Sequence, residues 1–427
     1  MKRLTKPSLV TFISRQLRHS RAVNSFPTKF YINSGQTDPF RHQFAHCQQL
    51  SSKSCGDITK EHDSSIDKDK EQQAKDKTKK MELPEGVMIG FGNPLLDLTT
   101  TIEDTMLLEK YGLEPNAAII AEEKHMALFD EIANQENLQL SAGGSCQNSM
   151  RVFQWIVGAP YRAVFFGAVG MDKFGEVIAK RARADGVETL YQLREDAPTG
   201  TCAVIISGQN RSLVANLGAA AYFSEDWMDS EESCCAVDTA SYFYITGFFL
   251  AVSPNTVLRV AQTASETKRT TILNLSAIFV LQMHKQELDE ILPYLDFIIS
   301  NKAEALAFAD THEWNTKDIF EIGKRMQSLP KDNGRPRVIM ITDDICPVLC
   351  FQENEKILEY PVPKLSKKDI VDTNGCGDAF VGGFLSQLVQ KMPLDYCIRT
   401  GIFASHQVIR VVGVQIDKMP NFNDSCI

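Results

Sequence analysis

The sequence has no apolar run that reaches the roughly 18 residues a membrane-spanning helix needs. It has no excess of basic residues either, because the formal net charge is −9 at pH 7. That balance argues against a surface dedicated to nucleic acid. The 11 cysteines show neither a zinc-ligand spacing nor a regular disulfide framework, which favours reduced intracellular thiols. We therefore expect no membrane partner, no nucleic-acid partner and no structural zinc.

Several common catalytic motifs are also missing. No Gly-x-x-x-x-Gly-Lys-Ser/Thr loop occurs, and no Gly-x-Gly-x-x-Gly run opens a helix after a strand. No Ser-His-Asp or Cys-His arrangement has a recognisable spacing. The sequence thus gives no support to a P-loop nucleoside triphosphatase, a dehydrogenase or a hydrolase.

The N-terminal part differs in composition from the rest. Residues 1–37 contain no Asp or Glu, and their basic residues accompany an apolar face at helical spacing. This is typical of a mitochondrial transit peptide, although a disordered basic tail has the same composition. Residues 51–80 are rich in Ser, Lys, Asp and Gln, which predicts a solvated linker. We expect residues 1–82 to precede a catalytic domain of residues 83–427.

From Val87 onward, short apolar runs alternate with amphipathic stretches of helical period. This alternation predicts βαβ units, hence an α/β fold with a doubly wound, mostly parallel sheet. The predicted strands are Val87–Phe91, Ala163–Phe166, Tyr242–Ile245, Thr271–Leu275, Phe297–Ser300 and Val338–Thr342. The predicted helices are Asn148–Ile156, Phe174–Ala184, Pro254–Ser265, Lys317–Met326 and Leu394–Val411.

One region breaks the alternation and predicts a second, small sheet. Thr199–Ser207 and Arg211–Asn216 are strand-like runs joined by a Gly-Gln-Asn turn, the pattern of a β-hairpin. We expect Leu96–Ile102, Ala117–Ala121 and Glu188–Leu193 to join it. The small sheet, with strands near 96–121 and 188–217, would act as a lid on the α/β domain.

The strongest chemical signal is the run Asp372–Gly383, DTNGCGDAFVGG. Gly375, Cys376 and Gly377 precede a helical pattern, so their backbone N–H groups can point at an anion. Asp378 in the first turn would face the same point and could accept a hydroxyl proton, the combination that phosphoryl transfer to a hydroxyl needs. A helix start capped by an Asp would show a similar pattern.

The chain from about Leu83 to Phe422 resembles the ribokinase-like (PfkB) family of carbohydrate and nucleoside kinases, and within it the adenosine kinases. The Asp372 run marks the wider family, while two other stretches mark the adenosine kinases. Those two are Gly92-Asn93-Pro94-Leu95-Leu96-Asp97 and Gly143-Gly144-Ser145-Cys146-Gln147-Asn148-Ser149. Further matching stretches are Gly200-Thr201-Cys202, Ser212–Leu217, Gly247–Leu250, Asn274–Ala277 and Asn301-x-x-Glu304.

The resemblance implies a nucleoside site. Asp97 would accept hydrogen bonds from the 2′- and 3′-hydroxyls of a ribose, since a vicinal diol offers two donors. Without the family pattern, Asp97 would pass for an ordinary turn carboxylate. The other residues implied to line the nucleoside site are Asn93, Gly143, Gly144, Asn148, Leu213 and Phe248.

The resemblance also implies Mg²⁺ and ATP as the phosphate donor. Arg211 would move with the lid hairpin to the transferred phosphate, although alone it is a solvated turn residue. Glu304 would reach Mg²⁺ through water, because this ion keeps several waters. The residues implied to bind the nucleotide and its metal are Asn301, Glu304, Thr342 and Asn374.

The chain departs from the family pattern at three places. Cys376 stands where Ala is usual, and a thiol at a helix N-terminus can have a lowered pKa. Asp344 and Ile345 replace a glycine and a basic residue near the nucleotide, so Asp343 and Asp344 would repel a polyphosphate. The nucleoside end also changes, with Ala118 where Gln is frequent and Ile278 where Pro is expected.

Three functional hypotheses remain open. The leading one is an ATP:adenosine 5′-phosphotransferase that produces AMP, with Asp378 as general base and the Gly375–Asp378 amides as the anion hole. The second keeps the chemistry but changes the acceptor to another nucleoside or a sugar. The third is a diverged adenosine-binding protein with little activity. The expected oligomeric state is a monomer. The family resemblance implies a location in the cytosol or the nucleus, whereas residues 1–37 suggest mitochondrial import.

Overall fold

The computed structural model describes residues 82–423, apart from residues 116, 209, 354 and 355. The basic segment and the linker predicted before residue 82 lie outside the described residues, so both stay predictions. In the part described, a nine-stranded sheet and a five-stranded sheet are connected and flanked by helices.

The strands of the two sheets are, in chain order, β1 (Met88–Phe91), β2 (Leu95–Ile102), β3 (Ala118–Ile120), β4 (Gln139–Gly143), β5 (Ala163–Gly170), β6 (Glu188–Arg194), β7 (Thr201–Ser207), β8 (Asn210–Asn216), β9 (Tyr242–Thr246), β10 (Thr270–Asn274), β11 (Phe297–Asn301), β12 (Val338–Asp343), β13 (Cys346–Phe351) and β14 (Leu358–Tyr360). The large sheet has the strand order β14-β13-β12-β11-β10-β9-β1-β5-β6 and is parallel from β12 to β6. Strands β13 and β14 add an antiparallel edge.

Most helices cover the two faces of the large sheet, and the first two pack on the small sheet. The helices are α1 (Met106–Tyr111), α2 (Met126–Ala133), α3 (Ser145–Val157), α4 (Lys173–Ala184), α5 (Glu231–Thr239), α6 (Gly247–Leu250), α7 (Pro254–Glu266), α8 (Ile278–Met283), α9 (Lys285–Ile291), α10 (Lys302–Thr311), α11 (Ile319–Gln327), α12 (Cys376–Leu388) and α13 (Leu394–Val408). Among the helices described, none has both the length and the apolar character to cross a bilayer.

The core forms because neighbouring residues of a strand face opposite sides of the sheet. In β1, Met88 belongs to the cluster with α3, α4, α12 and α13, whereas Ile89 and Phe91 belong to the cluster with α7, α10 and α11. All four residues of β1 are buried, as expected of a central parallel strand covered on both faces. The predicted α/β class with a doubly wound, mostly parallel sheet is confirmed.

The small sheet has the order β3-β8-β7-β2-β4. Buried residues of α1 and α2, among them Leu108 and Leu128, lie in one cluster with Leu96 and Leu98 of β2. The predicted hairpin is present as the antiparallel pair β7 and β8. Strand β4, which the sequence analysis did not predict, pairs antiparallel with β2 and ends at Gly143.

The expectation that Glu188–Leu193 joins the small sheet is wrong. This segment is part of β6, which pairs in parallel with β5 at the edge of the large sheet. The physical reason is the right-handed crossover rule: β5, α4 and β6 form one βαβ unit, and the returning strand lies beside the strand it left. β6 carries polar residues because it is an edge strand: Leu190 and Tyr191 are buried, and its last residues are partly exposed.

Candidate active site

A cavity of about 430 Å³ lies between the small sheet and the carboxyl ends of the large-sheet strands. This is where an open parallel sheet binds ligands, because strand ends and helix N-termini converge there. The carboxyl ends of β1, β9, β10, β11 and β12, with the residues that follow them, supply Asn93, Phe248, Ser276, Asn301 and Thr342 to its wall. The other predicted site residues on the wall are Asp97, Gly144, Asn148, Leu213, Glu304, Asn374, Gly375, Gly377 and Asp378.

Asp378 lies in the first turn of α12 and faces the start of α3. Ser145 donates its hydroxyl to Asp378 Oδ1 at 2.6 Å, and the Asn148 amide donates to Oδ2 at 3.0 Å. Desolvation in the cavity raises the pKa of Asp378, and these two hydrogen bonds lower it. The carboxylate is therefore oriented and partly stabilised in its charged form, as a general base requires.

The N-terminus of α12 forms an anion cradle beside this carboxylate. Gly375 has a φ of 76°, the left-handed conformation that favours glycine, and it caps the helix. Gly375 and Gly377 both lie on the cavity wall. Because first-turn N–H groups lack intrahelical acceptors, those beside Gly377 can bind an anion at this point.

A second carboxylate, Asp97 of β2, lies on the same wall and is buried. Burial raises its pKa from 3.8 to about 7, an effect partly offset by the positive charge of Arg211. Within the described part of the chain, no group donates a hydrogen bond to this carboxylate. A Cβ on Gly143 would lie 2.2 Å from Asp97 Oδ1, so a larger residue at position 143 would have to displace the carboxylate from this position.

The wall near Asp97 combines apolar side chains with one unsatisfied acceptor. Asn93 donates its amide to the carbonyl of Phe248 at 3.1 Å. Its Oδ1 is buried, and no described residue donates to it. Phe248 lies 6.0 Å from Phe279, centroid to centroid, so an aromatic surface faces the cavity. Such a wall suits a flat ring linked to a group with hydroxyl donors.

Two of the residues predicted to bind the nucleotide, Asn301 and Glu304, lie together at the N-terminus of α10. Asn301 and Glu304 make a reciprocal capping box, in which each side chain accepts from the backbone N–H of the other. Burial raises the pKa of Glu304 from 4.5 to about 7, and its hydrogen bond with Asn301 opposes this. Glu304 therefore both caps α10 and lines the cavity.

The acidic turn after β12 differs from what the sequence alone suggested. Lys302 donates to Asp343 Oδ2 at 2.8 Å, so one of the two carboxylates is paired with a cation. Asp344 and Ile345 form the exposed turn of the β12–β13 hairpin, where Asp344 has a φ of 47°. Asp344 therefore takes the left-handed conformation that a glycine would take, and solvent screens its charge.

Comparison with known proteins identifies the family. A model of the pfkB family carbohydrate kinases matches residues 106–421. The chain belongs to the pfkB family of carbohydrate kinases. It is 41% identical to Adenosine kinase 2 of Arabidopsis thaliana over 340 residues, which are 79% of this chain and 98% of that protein.

Solved structures of this pfkB-family fold agree. The adenosine kinase of Anopheles gambiae, in complex with a di(adenosine-5) tetraphosphate, is 45% identical with a TM-score of 0.77, over 80% of this chain and 100% of that one. The adenosine kinase of Schistosoma mansoni in complex with 2-fluoroadenosine is 30% identical with a TM-score of 0.75, over 79% and 100% of the two chains.

Three predicted site residues of this pfkB kinase lie behind the cavity wall. Gly143 backs Asp97, and Cys376 contributes its backbone to the first turn of α12. Arg211 is buried in an ion pair with Asp372, the first residue of the DTNGCGD run. The lid hairpin is thus joined to the cradle loop in this structure, whereas the sequence analysis expected Arg211 to reach the phosphate by a movement.

The expectation that the pKa of Cys376 is lowered is wrong. Burial raises the pKa of this thiol to about 12, and the negative charges of Asp372 and Asp378 act in the same direction. These effects outweigh the helix dipole, whose influence is modest at a single terminus. Cys376 is therefore a neutral side chain that packs beneath the cradle.

Sequence reasoning missed Ser145 as a hydrogen-bond partner of Asp378. The signal was available, because Ser145 and Asn148 are three residues apart at the start of one helix and so share a face. It missed Asp372 as the partner of Arg211, for which no local pattern exists, since 161 positions separate the two residues.

Proposed function

We propose that this protein is an ATP:adenosine 5′-phosphotransferase, which transfers the terminal phosphoryl group of ATP to adenosine and releases AMP and ADP. The observation that carries the proposal is the pair of carboxylates on one cavity wall. Asp97 is buried without a hydrogen-bond donor, and Asp378 is oriented beside an anion cradle. The adenosine kinases among the relatives support adenosine as the acceptor.

The ribose fits the unsatisfied groups of the wall. A vicinal diol supplies two donors, and the Asp97 carboxylate accepts both in its charged form. Asp97 lines the cavity and accepts no hydrogen bond from the described residues, so a ligand in the cavity can supply the donors. Asn93 Oδ1 offers a further acceptor, and Phe248 with Leu213 offers an apolar surface for the base.

Asp378 then acts on the 5′-hydroxyl. Its carboxylate takes the hydroxyl proton as the oxygen forms a bond to the terminal phosphorus of ATP, while the bond from that phosphorus to the ADP oxygen breaks. The N–H groups at the start of α12 stabilise the charge on the transferring oxygens. Ser145 and Asn148 hold the base in position during this step.

The nucleotide side fits Mg²⁺ bound through water. In the described residues, no cluster of three His, Cys, Asp or Glu side chains could hold a metal alone. Glu304 is the carboxylate of the cavity wall at this end, and its oxygens already accept from Asn301. An ion that arrives with phosphate and keeps its waters suits such a site, where Mg²⁺ would neutralise phosphate charge. Thr342, Asn301 and Asn374 line the same end.

A monomer is part of the proposal. The outer face of the small sheet packs against α1 and α2 in one hydrophobic cluster, so within the described residues a helical layer already covers this face. We keep the cytosol as the proposed location, with the nucleus as a second compartment. Import into mitochondria through residues 1–37 is the alternative, and N-terminal sequencing of the mature protein decides between them.

The competing hypothesis of an adenosine-binding protein without activity rested on two unpaired acidic residues near the nucleotide. Pairing of Asp343 with Lys302 weakens that argument. A kinase for another nucleoside or a sugar remains the second candidate, because Asp97 would bind any vicinal diol.

A coupled assay tests the proposal: purified residues 83–427 are incubated with adenosine and Mg·ATP, and AMP is quantified. Inosine, guanosine and ribose are assayed in parallel at equal concentrations. We expect AMP as the main product and the highest kcat/KM for adenosine. Higher kcat/KM for another acceptor would replace the proposed substrate, and titration of adenosine binding without turnover would support the binding protein instead.

A further inference from the structure

Arg151 of α3 is a charged side chain with about 1% of its surface exposed. It lies one turn after Asn148 on the same face of α3, and six residues after Ser145, the other partner of Asp378. Burial of a guanidinium requires several acceptors, because each N–H group left without one is costly. The acceptors that Arg151 uses indicate its role.

The guanidinium contacts four separate parts of the chain. Its Nε donates to Asp185 Oδ2 at 2.6 Å, at the C-terminus of α4. One terminal nitrogen donates to the carbonyl of Ala142 at 3.0 Å and to Asn148 Oδ1 at 3.4 Å. The other donates to the carbonyl of Val414 at 2.8 Å. Asp185 balances the charge, and the other three acceptors belong to segments that build the active site.

The contact with Asn148 determines which way its amide faces. A guanidinium can only donate, so it selects the oxygen of the Asn148 amide. The amide NH₂ is thereby turned toward Asp378 Oδ2, to which it donates at 3.0 Å. The opposite orientation would set NH₂ against N–H and leave the carboxylate facing an oxygen, which is repulsive on both sides.

The two carbonyl contacts hold the loops on either side. Ala142 precedes Gly143, whose α-carbon backs the Asp97 carboxylate. Val414 follows Gly413, whose N–H donates to Asp372 Oδ2 at 2.6 Å at the start of the cradle loop. One buried cation therefore ties the diol carboxylate, the base and the cradle loop to the same helix.

We propose that Arg151 is a positioning residue for the transfer reaction, which holds the Asn148 amide in the orientation that stabilises the ionised base. The proposal rests on the role assigned to Asp378 under the proposed function. Arg151 does not lie on the cavity wall, so it acts through Asn148 and the adjoining loops.

The charged and titratable groups around Asp378 belong to several elements. Asp97 of β2, Cys146 of α3 and Tyr244 of β9 each interact with its charge, and Cys376 does so from α12. Arg151 also lowers the pKa of Asp97. A change of charge at position 151 therefore has to be separated from a change in amide orientation.

The experiment compares Arg151→Met, Arg151→Lys and the matched control Arg181→Met. Arg181 donates to the same Asp185 oxygen at 3.1 Å but lies on α4, with 35% of its side chain exposed. We expect Arg151→Met to lower kcat for AMP formation by about tenfold or more, with a smaller change in KM for adenosine. The acid limb of its kcat–pH profile should move to higher pH, because the base loses a hydrogen bond that favours its charged form.

Arg151→Lys keeps the positive charge and serves if the Met variant does not fold. One ammonium cannot reach Asp185 and Asn148 in the geometry of the fork, so we expect the acid limb to move in the same direction. Arg181→Met should match the wild type in both kcat and pH profile. The positioning role is overturned if folded Arg151→Lys has the wild-type acid limb, or if Arg181→Met shifts it equally.

A second readout does not depend on turnover. Carbon-13 NMR of labelled Asp carboxyls, with the Asp378 signal identified by its loss in Asp378→Asn, gives the titration of the base directly. Its pKa should be higher in both Arg151 variants than in the wild type and in Arg181→Met. If the wild type does not phosphorylate adenosine but the titration shifts, the proposed function fails and with it the role of Arg151 in the transfer, whereas its effect on the Asn148 amide and Asp378 is supported. If the wild type is active and the titration is unchanged in both Arg151 variants, the proposed function stands and the positioning role is overturned.

Discussion

Arg211 of the small sheet and Asp372 of the cradle loop form an ion pair in which both side chains are buried, 7% and 1% exposed. Asp372 also accepts from the backbone N–H of Asn374 at 2.9 Å and of Gly413 at 2.6 Å. Its carboxylate therefore joins the lid hairpin, the cradle loop and the C-terminal segment. The ion pair with Asp372 therefore links the position of the small sheet over the cavity to the cradle loop.

The first prediction concerns stability. Replacing one partner of a buried ion pair leaves the other without compensation, at a cost of about 3–5 kcal/mol. We expect Asp372→Ala to destabilise more than Arg211→Met, because Asp372 also holds two backbone N–H groups. Urea unfolding of both variants and of the double variant measures this. Strictly additive losses in the double variant would mean that the two side chains do not interact in solution.

The second prediction concerns the base. Asp378→Asn keeps the shape of the side chain but cannot take the hydroxyl proton, so kcat should fall by roughly 10²–10⁴. Adenosine affinity, measured calorimetrically without nucleotide, should change little, because Asp97 provides the diol contact. Asp310→Asn on the exposed end of α10 is the control. An Asp378→Asn enzyme with near-normal turnover would contradict the assigned role.

The third prediction concerns pH. Burial raises the pKa of Asp97 to about 7, and its carboxylate accepts both ribose hydroxyls only when ionised. Adenosine should therefore bind more weakly as the pH falls through about 7, measured by calorimetry without nucleotide. The free energy of unfolding of the unliganded protein should fall as pH rises from about 4 to about 7, since the folded state retains a proton that the unfolded state has lost.

Glu304 has a similarly raised pKa, so the pH experiment needs two controls. Asp97→Asn should bind adenosine weakly and without this pH dependence. Glu304→Gln, on the nucleotide side, should keep the dependence of the wild type. If Glu304→Gln loses the pH dependence and Asp97→Asn keeps it, the titrating group is Glu304 and the prediction for Asp97 is wrong.

The fourth prediction concerns the acidic turn. Lys302→Met removes the cation beside Asp343, so KM for Mg·ATP should rise several-fold while KM for adenosine stays nearly constant. The added substitution Asp343→Asn should restore much of the loss. Lys180→Met, at an exposed position of α4, should leave both KM values unchanged. Equal effects on both substrates would show that the turn does not act on the nucleotide.

Parts of the structure with strong local signals were predictable. The central strands β9 to β12 lie within one or two residues of their predicted bounds, because short apolar runs between amphipathic helices have few other interpretations. The cradle was also predictable, since a glycine pair followed by Asp at a helix start has a local physical meaning. Both depend on neighbours in the chain.

The rest depends on contacts that no local pattern encodes. The sheet to which β6 belongs follows from the crossover of its βαβ unit rather than from its composition. The pairing of Lys302 with Asp343 joins residues 41 positions apart and offsets the charge of one of the two carboxylates in the acidic turn. The raised pKa of Cys376 likewise follows from burial and from acidic neighbours that only the folded chain brings together.

The close packing of Gly143 against Asp97 limits variation at position 143. A Cβ there would lie 2.2 Å from the carboxylate oxygen, so a larger residue has to displace the group that we propose binds the ribose. Selection for substrate binding would therefore act on a backbone position that itself lies behind the cavity wall.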